Sequence, residues 1–377
     1  MKNLILIIIA ALLFNLNTSA AEFKIPDVKA YILTEAETGQ ILYAYNEDER
    51  LPVSSLAKIM TLLLIAQELE AGNIALTDDV PASLNAHNAK GSVIWLNPGE
   101  VMKLGELVKA VVIASSNDAT IALAEYISGS AEKFTEKMNR RAAELGLKGS
   151  YFADVGGFDE KSVSTAHDIA VITAELFRHD VFNEHFTTRL SAVREYTERE
   201  AQLLNTNKLA YSYEGILGGK AGQSQKAGFC LANCAVRNNM KLIAVVIGAK
   251  TEEDRVDLSR HLLNSGFHDF EFVTPEPETE KFSPVKVERG VAKTVETGLF
   301  DPVRFVAVKG GGKNARFIYT MPESVTAPVE EGQIIGRLSV EMDGRRVAES
   351  DIVALYAVQE LTFMKSLEII LEKIFVL

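Results

Sequence analysis

The sequence predicts an α+β chain in three parts: an antiparallel sheet flanked by helices, a small β-rich domain, and a C-terminal amphipathic helix. Three observations predict it. Strand-like pairs open and close the stretch 30–248, with helical patterns between them. A segment rich in proline and glutamate at 273–284 then interrupts every apolar period. Finally, residues 361–377 sort their charged and apolar side chains onto opposite sides of a helix.

Size and charge bound the function. The chain has 377 residues, of which 47% are apolar, with 39 Lys and Arg against 51 Asp and Glu and a formal charge of −12. Such a chain supports a sizeable core over two or three domains and is neither a stapled mini-protein nor a disordered polymer. Clustered basic residues are missing, which argues against a nucleic-acid partner.

Residues 1–21 read as an export signal. Lys2 gives the charged start, Leu4 to Phe14 an unbroken apolar run, and Thr18, Ser19, Ala20 and Ala21 the small residues before cleavage after Ala20 or Ala21. The run is too short to span a membrane, which takes about 20 apolar residues. Cys230 and Cys234 lie in a strand-like stretch, where positions four apart are roughly 13 Å apart and beyond disulfide reach. Two buried, unpaired thiols are expected.

Ala30–Leu33 and Ile41–Tyr45, around the turn Glu37, Thr38, Gly39, form the first expected hairpin. From Ser55 to about Glu70 the chain is apolar on nearly every side and stops at Gly72, so this helix must be buried almost all round. Helical patterns fill about 100–190. Gly228–Val236 and Lys241–Gly248 form a second hairpin across Arg237, Asn238 and Asn239. The parts expected are a main domain over 22–272, a linker over 273–284, a β domain over 285–360 and the terminal helix over 361–377.

Within the β domain, turns are expected at Glu296–Gly298, Lys309–Lys313, Glu330–Gly332 and 343–345. The Gly310, Gly311, Gly312 run reads as a hairpin tip, since the context of a phosphate-cradling loop is absent. In the terminal helix, Thr362, Lys365, Ser366, Glu368, Glu372 and Lys373 fall on one side. Most of Phe363, Met364, Leu367, Ile370, Leu371, Ile374 and Leu377 fall on the other. This pattern suits a helix lying in the headgroup layer, or a helix packed on its own β domain.

Chemistry concentrates in three places. Ser55 and Lys58 are three apart on the apolar helix, so hydroxyl and amine share a face at its first turn; Ser54 has Ala57 at that offset. Burial and a second cation would lower the amine below its free value near 10.4 and let it take the serine proton. Ser115, Ser116, Asn117, Asp118 interrupts two helical runs, a pattern that also suits a helix cap. Gly218, Gly219, Lys220, Ala221, Gly222 precedes the strand near Gly228, where glycines let a substrate backbone approach a strand edge. The six histidines show no metal-ligand spacing, His167 beside Asp168 reads as a helix start, and no metal or cofactor is expected.

These motifs, with "SSLAKIMT", "SSNDA", "LNTNKL" and "KAGFCLANCAVRNNMKLIAVVIGA", resemble the serine-type D-alanyl-D-alanine carboxypeptidases, low-molecular-mass penicillin-binding proteins with a β-lactamase/transpeptidase-like main domain. The resemblance extends over the β domain and terminal helix. It implies Ser55 as acylated nucleophile, Lys58 as general base, Ser115 as proton relay and Asn117 as substrate-orienting amide. It further implies Lys220 as the cation that holds the substrate carboxylate region and keeps Lys58 neutral, Gly222 on the substrate-binding strand, and the backbone N–H groups of Ser55 and Gln223 as oxyanion donors. Arg255 is implied as a carboxylate-binding arginine.

The implied substrate is the peptidoglycan stem peptide, with β-lactams as covalent inhibitors. The implied location is the periplasmic side of the bacterial inner membrane, with the terminal helix on its surface. Ala221 departs from the family, which usually has Thr or Ser there; a lost hydrogen bond to a charged group costs about 1.5 to 3 kcal/mol. Asp154, Val155 and Gly156 stand where Asn, Pro and His are usual, a change expected to bear on loop mobility more than on chemistry. A class A β-lactamase is a poorer match, lacking its extra glutamate motif and having no place for the β domain. A DD-endopeptidase of the same fold and an inactive envelope scaffold are the other readings.

Overall fold

A computed structural model describes residues 23–342 and 344–375. The expected export signal, the turn residue at 343 and the last two residues of the chain lie outside the described residues. Strand β1 (Ala30–Glu35) turns back into β2 (Ile41–Tyr45), and the Glu35 carboxylate holds the turn by accepting from the N–H groups of Glu37 and Thr38. Helices α1 (Lys58–Glu70), α2 (Leu104–Ala114), α3 (Asn117–Ser128), α4 (Ala131–Glu144) and α5 (Ala166–Leu176) follow. A small hairpin, β3 (Leu190–Val193) and β4 (Ala201–Leu204), precedes the long strands β5 (Ile216–Ser224), β6 (Gly228–Arg237) and β7 (Met240–Ala249).

The first and last strands of this domain meet in one antiparallel sheet of order β2-β1-β7-β6-β5. Alternation decides its two faces. Ile32, Ile243, Val245, Cys230 and Cys234 face α1 to α5, whereas Leu33, Leu231, Leu242 and Val246 face helix α6 (Glu252–Asp269). The turn expected across Arg237, Asn238 and Asn239 is shorter by one residue: Arg237 pairs with Met240 at the end of β6, and the turn falls at Asn238 and Asn239, both with positive φ. Both cysteines are free and buried, and burial pushes their thiols up to about 11 for Cys230 and about 12 for Cys234.

Helix α1 is buried continuously from Lys58 to Ala66. Each leucine or isoleucine enclosed there contributes roughly 1.5 to 3 kcal/mol, which fixes the helix as the central post of the domain. One expectation is corrected here. Ser55 is not in the α-helix: Ser54–Ala57 form a 3-10 turn, and the α-helix begins at Lys58. Ser54 enters this turn with φ 48°, and Gly157 packs so closely on the Ser54 carbonyl that a Cβ would lie 1.9 Å from its oxygen. The tighter turn eclipses residues three apart, so it serves the Ser55 to Lys58 alignment better than an α-turn would.

Beyond α6, β8 (Phe270–Val273) leads into β9 (Val285–Glu288), β10 (Thr294–Val295), β11 (Thr297–Leu299), β12 (Phe305–Val308), β13 (Arg316–Thr320), β14 (Ser324–Thr326), β15 (Ile334–Met342) and β16 (Arg345–Ala354). They make sheets of order β10-β9-β14 and β11-β16-β15-β13, while β8 pairs with β12. Val273, at the head of the expected linker, is thus a strand residue opposite Phe305, and Phe282 near its end is buried in the β-domain core. The turn expected at Glu296–Gly298 is instead largely strand, with Thr297 opposite Ala354. Tertiary pairing overrides the local Gly signal there. Arg304 to Glu37 at 2.8 Å ties the two domains near the β1–β2 turn.

Helix α7 (Phe363–Phe375) ends the description, with Phe363, Met364, Leu367, Ile370 and Leu371 exposed. No helix among the described residues is long and apolar enough to cross a membrane.

Candidate active site

The 3-10 turn, the α2–α3 break, a loop at 154–159 and the β5 edge converge on one cleft of about 800 Å³. Ser55, Ser115, Asn117, Ala221, Gly222, Gln223 and Arg255 all line it. Lys58 and Lys220 are buried behind, at 0% and 1% exposure.

Lys58 Nζ lies 3.1 Å from Ser55 Oγ, 2.9 Å from Asn117 Oδ1 and 3.2 Å from the Gly156 carbonyl oxygen. Burial lowers its pKa to about 7, against an opposing pull from Asp154. The sequence reading named burial and a second cation together; desolvation is the cause that lowers Lys58. Lys220 is itself lowered, first by burial and then by repulsion from Lys58. Its Nζ is 3.4 Å from the Val112 carbonyl, near the end of α2.

The α2–α3 break is a real interruption. Ser115 adopts left-handed φ 60° as the C-cap of α2, and Asn117 opens α3. The Ser115 hydroxyl is buried with no hydrogen-bond partner. Such an orphan costs about 1 to 3 kcal/mol and is tolerated where function uses it. Asn117 is held from both ends, with Oδ1 accepting from Lys58 and Nδ2 donating to the Lys90 carbonyl.

The β5 edge runs beside the nucleophile. A Cβ on Gly222 would sit 3.0 Å from the Ser55 nitrogen, and the Ser54 hydroxyl donates to the Gln223 carbonyl at 2.9 Å. Arg255, from α6, donates through Nη1 to the carbonyls of Gly222 and Cys230 and through Nη2 to Glu252. It therefore braces the strand edge from behind while one side faces the cleft. Ala221 is buried in the lining, and the nearby Ser224 hydroxyl accepts from the Ala227 N–H.

Sequence reasoning missed the 154–159 loop as a chemical element. Asp154 Oδ1 accepts from the N–H groups of Gly156, Gly157 and Phe158, which fixes the Gly156 carbonyl on Lys58. Thr61 donates to the Val155 carbonyl, and the Phe158 ring lies 4.9 Å from Lys58 Nζ. The departure from Asn, Pro and His thus bears directly on Lys58. Asp118 was missed as well: its buried carboxylate accepts from Ile94 N and Leu96 N, tying one wall of the cleft to α3. His167 stands in the first turn of α5, as expected, with Thr165 capping Asp168 N.

A D-alanyl-D-alanine carboxypeptidase family model matches residues 17–251, and a model of the C-terminal domain of penicillin-binding protein 5 matches 270–360. The chain is 37% identical over 344 residues to the D-alanyl-D-alanine carboxypeptidase DacF of Bacillus subtilis, covering 90% of this chain and 88% of that protein. It is 35% identical over 343 residues to the D-alanyl-D-alanine carboxypeptidase DacC of Escherichia coli, covering 89% and 85%. The crystal structure of penicillin-binding protein 5 from Haemophilus influenzae aligns with a TM-score of 0.80 at 30% identity, over 89% of this chain and 98% of that one. On this evidence, with a serine beside a buried lysine whose pKa burial lowers, the chain belongs to the serine-type D-alanyl-D-alanine carboxypeptidases.

Proposed function

We propose that Ser55 is the acylated nucleophile and Lys58 its base in the removal of the terminal D-alanine from peptidoglycan stem pentapeptides. The observation that carries this reading is the 3.1 Å contact between Ser55 Oγ and a lysine whose pKa burial lowers to about 7. Lys58 takes the hydroxyl proton as Oγ attacks the carbonyl carbon of the penultimate residue. The carbonyl oxygen gathers charge between the N–H groups of Ser55, on the 3-10 turn, and Gln223, on the β5 edge, which Gly222 lets approach each other. As the C–N bond breaks, the proton reaches the leaving amine through Ser115, whose hydroxyl has no competing partner. Water, deprotonated by the same lysine, then releases the acyl group. Lys220 and Arg255 supply positive charge behind the carboxylate end of the substrate.

Helix α7 rests on the membrane surface in this reading. Its exposed Phe363, Met364, Leu367, Ile370 and Leu371 have an apolar area that an interfacial position removes from water. Full-length protein should co-sediment with lipid vesicles, and a chain ending at Glu360 should remain in the supernatant; equal sedimentation would refute the anchor.

The function is tested with labelled penicillin and a synthetic peptide ending in two D-alanines. The mature chain should become covalently tagged and shorten the peptide by one alanine, and Ser55→Ala should do neither. Tagging of neither form would favour a scaffold, tagging of both would mean acylation at another residue, and either would sink the assignment; cleavage elsewhere in the peptide would favour an endopeptidase.

A further inference from the structure

Two serines stand side by side at the head of the cleft, and their hydroxyls have different partners. Ser55 Oγ meets Lys58 Nζ at 3.1 Å, whereas Ser54 Oγ donates to the Gln223 carbonyl at 2.9 Å, across 169 residues of chain. Ser54, Ser55 and Gln223 all line the cleft, and Ser54 is buried. The separation of the two hydroxyls follows from the backbone. Ser54 holds φ 48°, a left-handed conformation that serine rarely takes, and Gly157 closes on its carbonyl. Such strain persists where neighbouring contacts over-determine it.

The bond from Ser54 falls on a peptide group with a defined orientation. Strand β5 is the edge of its sheet, and Gly222 and Gln223 lie opposite Cys230 and Phe229. Arg255 Nη1 reaches the Gly222 and Cys230 carbonyls together, at 2.9 and 3.2 Å, so these two oxygens are close, as in a hydrogen-bonded pair of the ladder. The next residue then turns both its N–H and its C=O outward, away from β6. Gln223 therefore presents both groups to the 3-10 turn, and Ser54 takes the carbonyl. The turn and the strand edge also touch here, since a Cβ on Gly222 would sit 3.0 Å from the Ser55 nitrogen.

We propose that Ser54 is a positioning residue for the oxyanion site, its hydroxyl holding the Gln223 carbonyl and thereby fixing how the Gln223 and Ser55 N–H groups stand to each other. This deepens the reading above, in which those two groups hold the substrate carbonyl oxygen, and rests on it. Negative charge gathers on that oxygen only as Ser55 attacks, so a misplaced donor costs the transition state and spares the bound substrate.

Ser54→Ala and Ser54→Gly test the role together. Both lose the hydroxyl, but glycine takes φ 48° without strain. In both, kcat and kcat/KM for a peptide ending in two D-alanines should fall alike, by roughly twofold to tenfold at unchanged KM, the worth of one hydrogen bond. A boronic acid analogue of the peptide, whose tetrahedral adduct on Ser55 places an oxygen at the same site, should inhibit both variants more weakly by the same factor. The pH near 7 at which acylation rises should not move, because Lys58 is untouched. Unchanged kcat would overturn the proposal. So would a loss in Ser54→Ala that Ser54→Gly does not share, which would make backbone strain the cause, or a shifted pH profile, which would place the effect on Lys58. Failure of the underlying reading looks different: the unmodified protein would then resist both labelled penicillin and the boronic acid.

Discussion

Lys58 Nζ is closer to Asn117 Oδ1, at 2.9 Å, than to the Ser55 hydroxyl, at 3.1 Å. An ammonium can satisfy all three of its oxygen neighbours by donating. A neutral amine keeps two donors, enough for Asn117 and Gly156, and turns its lone pair to Ser55. The three contacts therefore accommodate both protonation states, and in the neutral one the lone pair is left for Ser55.

Acylation by a β-lactam should rise with pH through about 7 as Lys58 loses its proton. Between pH 6 and pH 8 the rate should climb roughly tenfold, the span of one ionisation. Stopped-flow acylation over that range is the measurement, and a flat profile would count against Lys58 as base.

The same shift makes a stability prediction. Between about 7 and the ordinary value of 10.5, the unfolded chain holds a proton on residue 58 that the folded chain has released. Stability must therefore increase with pH in that window, by about 1 kcal/mol from pH 7.5 to 8.5 for one such lysine. Lys220, lowered too, adds in the same direction, whereas the two raised cysteine thiols oppose it only as pH passes about 9. Urea unfolding at the two pH values should show the gain, and Lys58→Met should reduce it.

Asp154 separates a structural from an electrostatic role. In Asp154→Asn, a side-chain oxygen remains to accept from the loop N–H groups, but the charge that raises the Lys58 pKa is gone. The acid limb of the acylation profile should move to lower pH. Asp154→Ala loses the acceptor itself and should slow acylation at every pH, because four loop N–H groups are left to find water.

Ala221→Thr restores a hydroxyl to the cleft lining. If that group meets the substrate carboxylate, kcat/KM for a D-alanyl-D-alanine peptide should rise roughly tenfold to a hundredfold, the worth of one charge-assisted hydrogen bond. Steady-state kinetics with one peptide decides it; an unchanged kcat/KM would mean that Arg255 already satisfies the carboxylate.

Arg255→Lys keeps a cation but loses the fork that reaches the Gly222 and Cys230 carbonyls and Glu252 together. KM should rise with the charge retained, because the strand edge is no longer braced. A change in kcat with KM unaltered would argue against this positioning role.

Sequence alone made the Ser55 and Lys58 pair legible, because residues three apart must meet on any tight helical turn. It also gave the buried α1, since no polar face exists between Lys58 and Ala66, and the β6–β7 turn, since two asparagines tolerate positive φ. Composition marked off the β domain, although not that Val273 and Phe282 would join its folded strands and core.

Only the tertiary structure decided what surrounds Lys58. Gly156 is 98 residues from Lys58, and Gln223 is 169 from Ser54, so no local period or spacing announces either contact. Their hydrogen bonds depend on backbone carbonyls, which every residue carries alike, and on where long-range packing happens to aim them. The sequence determined which chemical groups are present and which neighbours on the chain share a face. Folding decided which of them lose water, and burial is what lowers the Lys58 pKa to about 7.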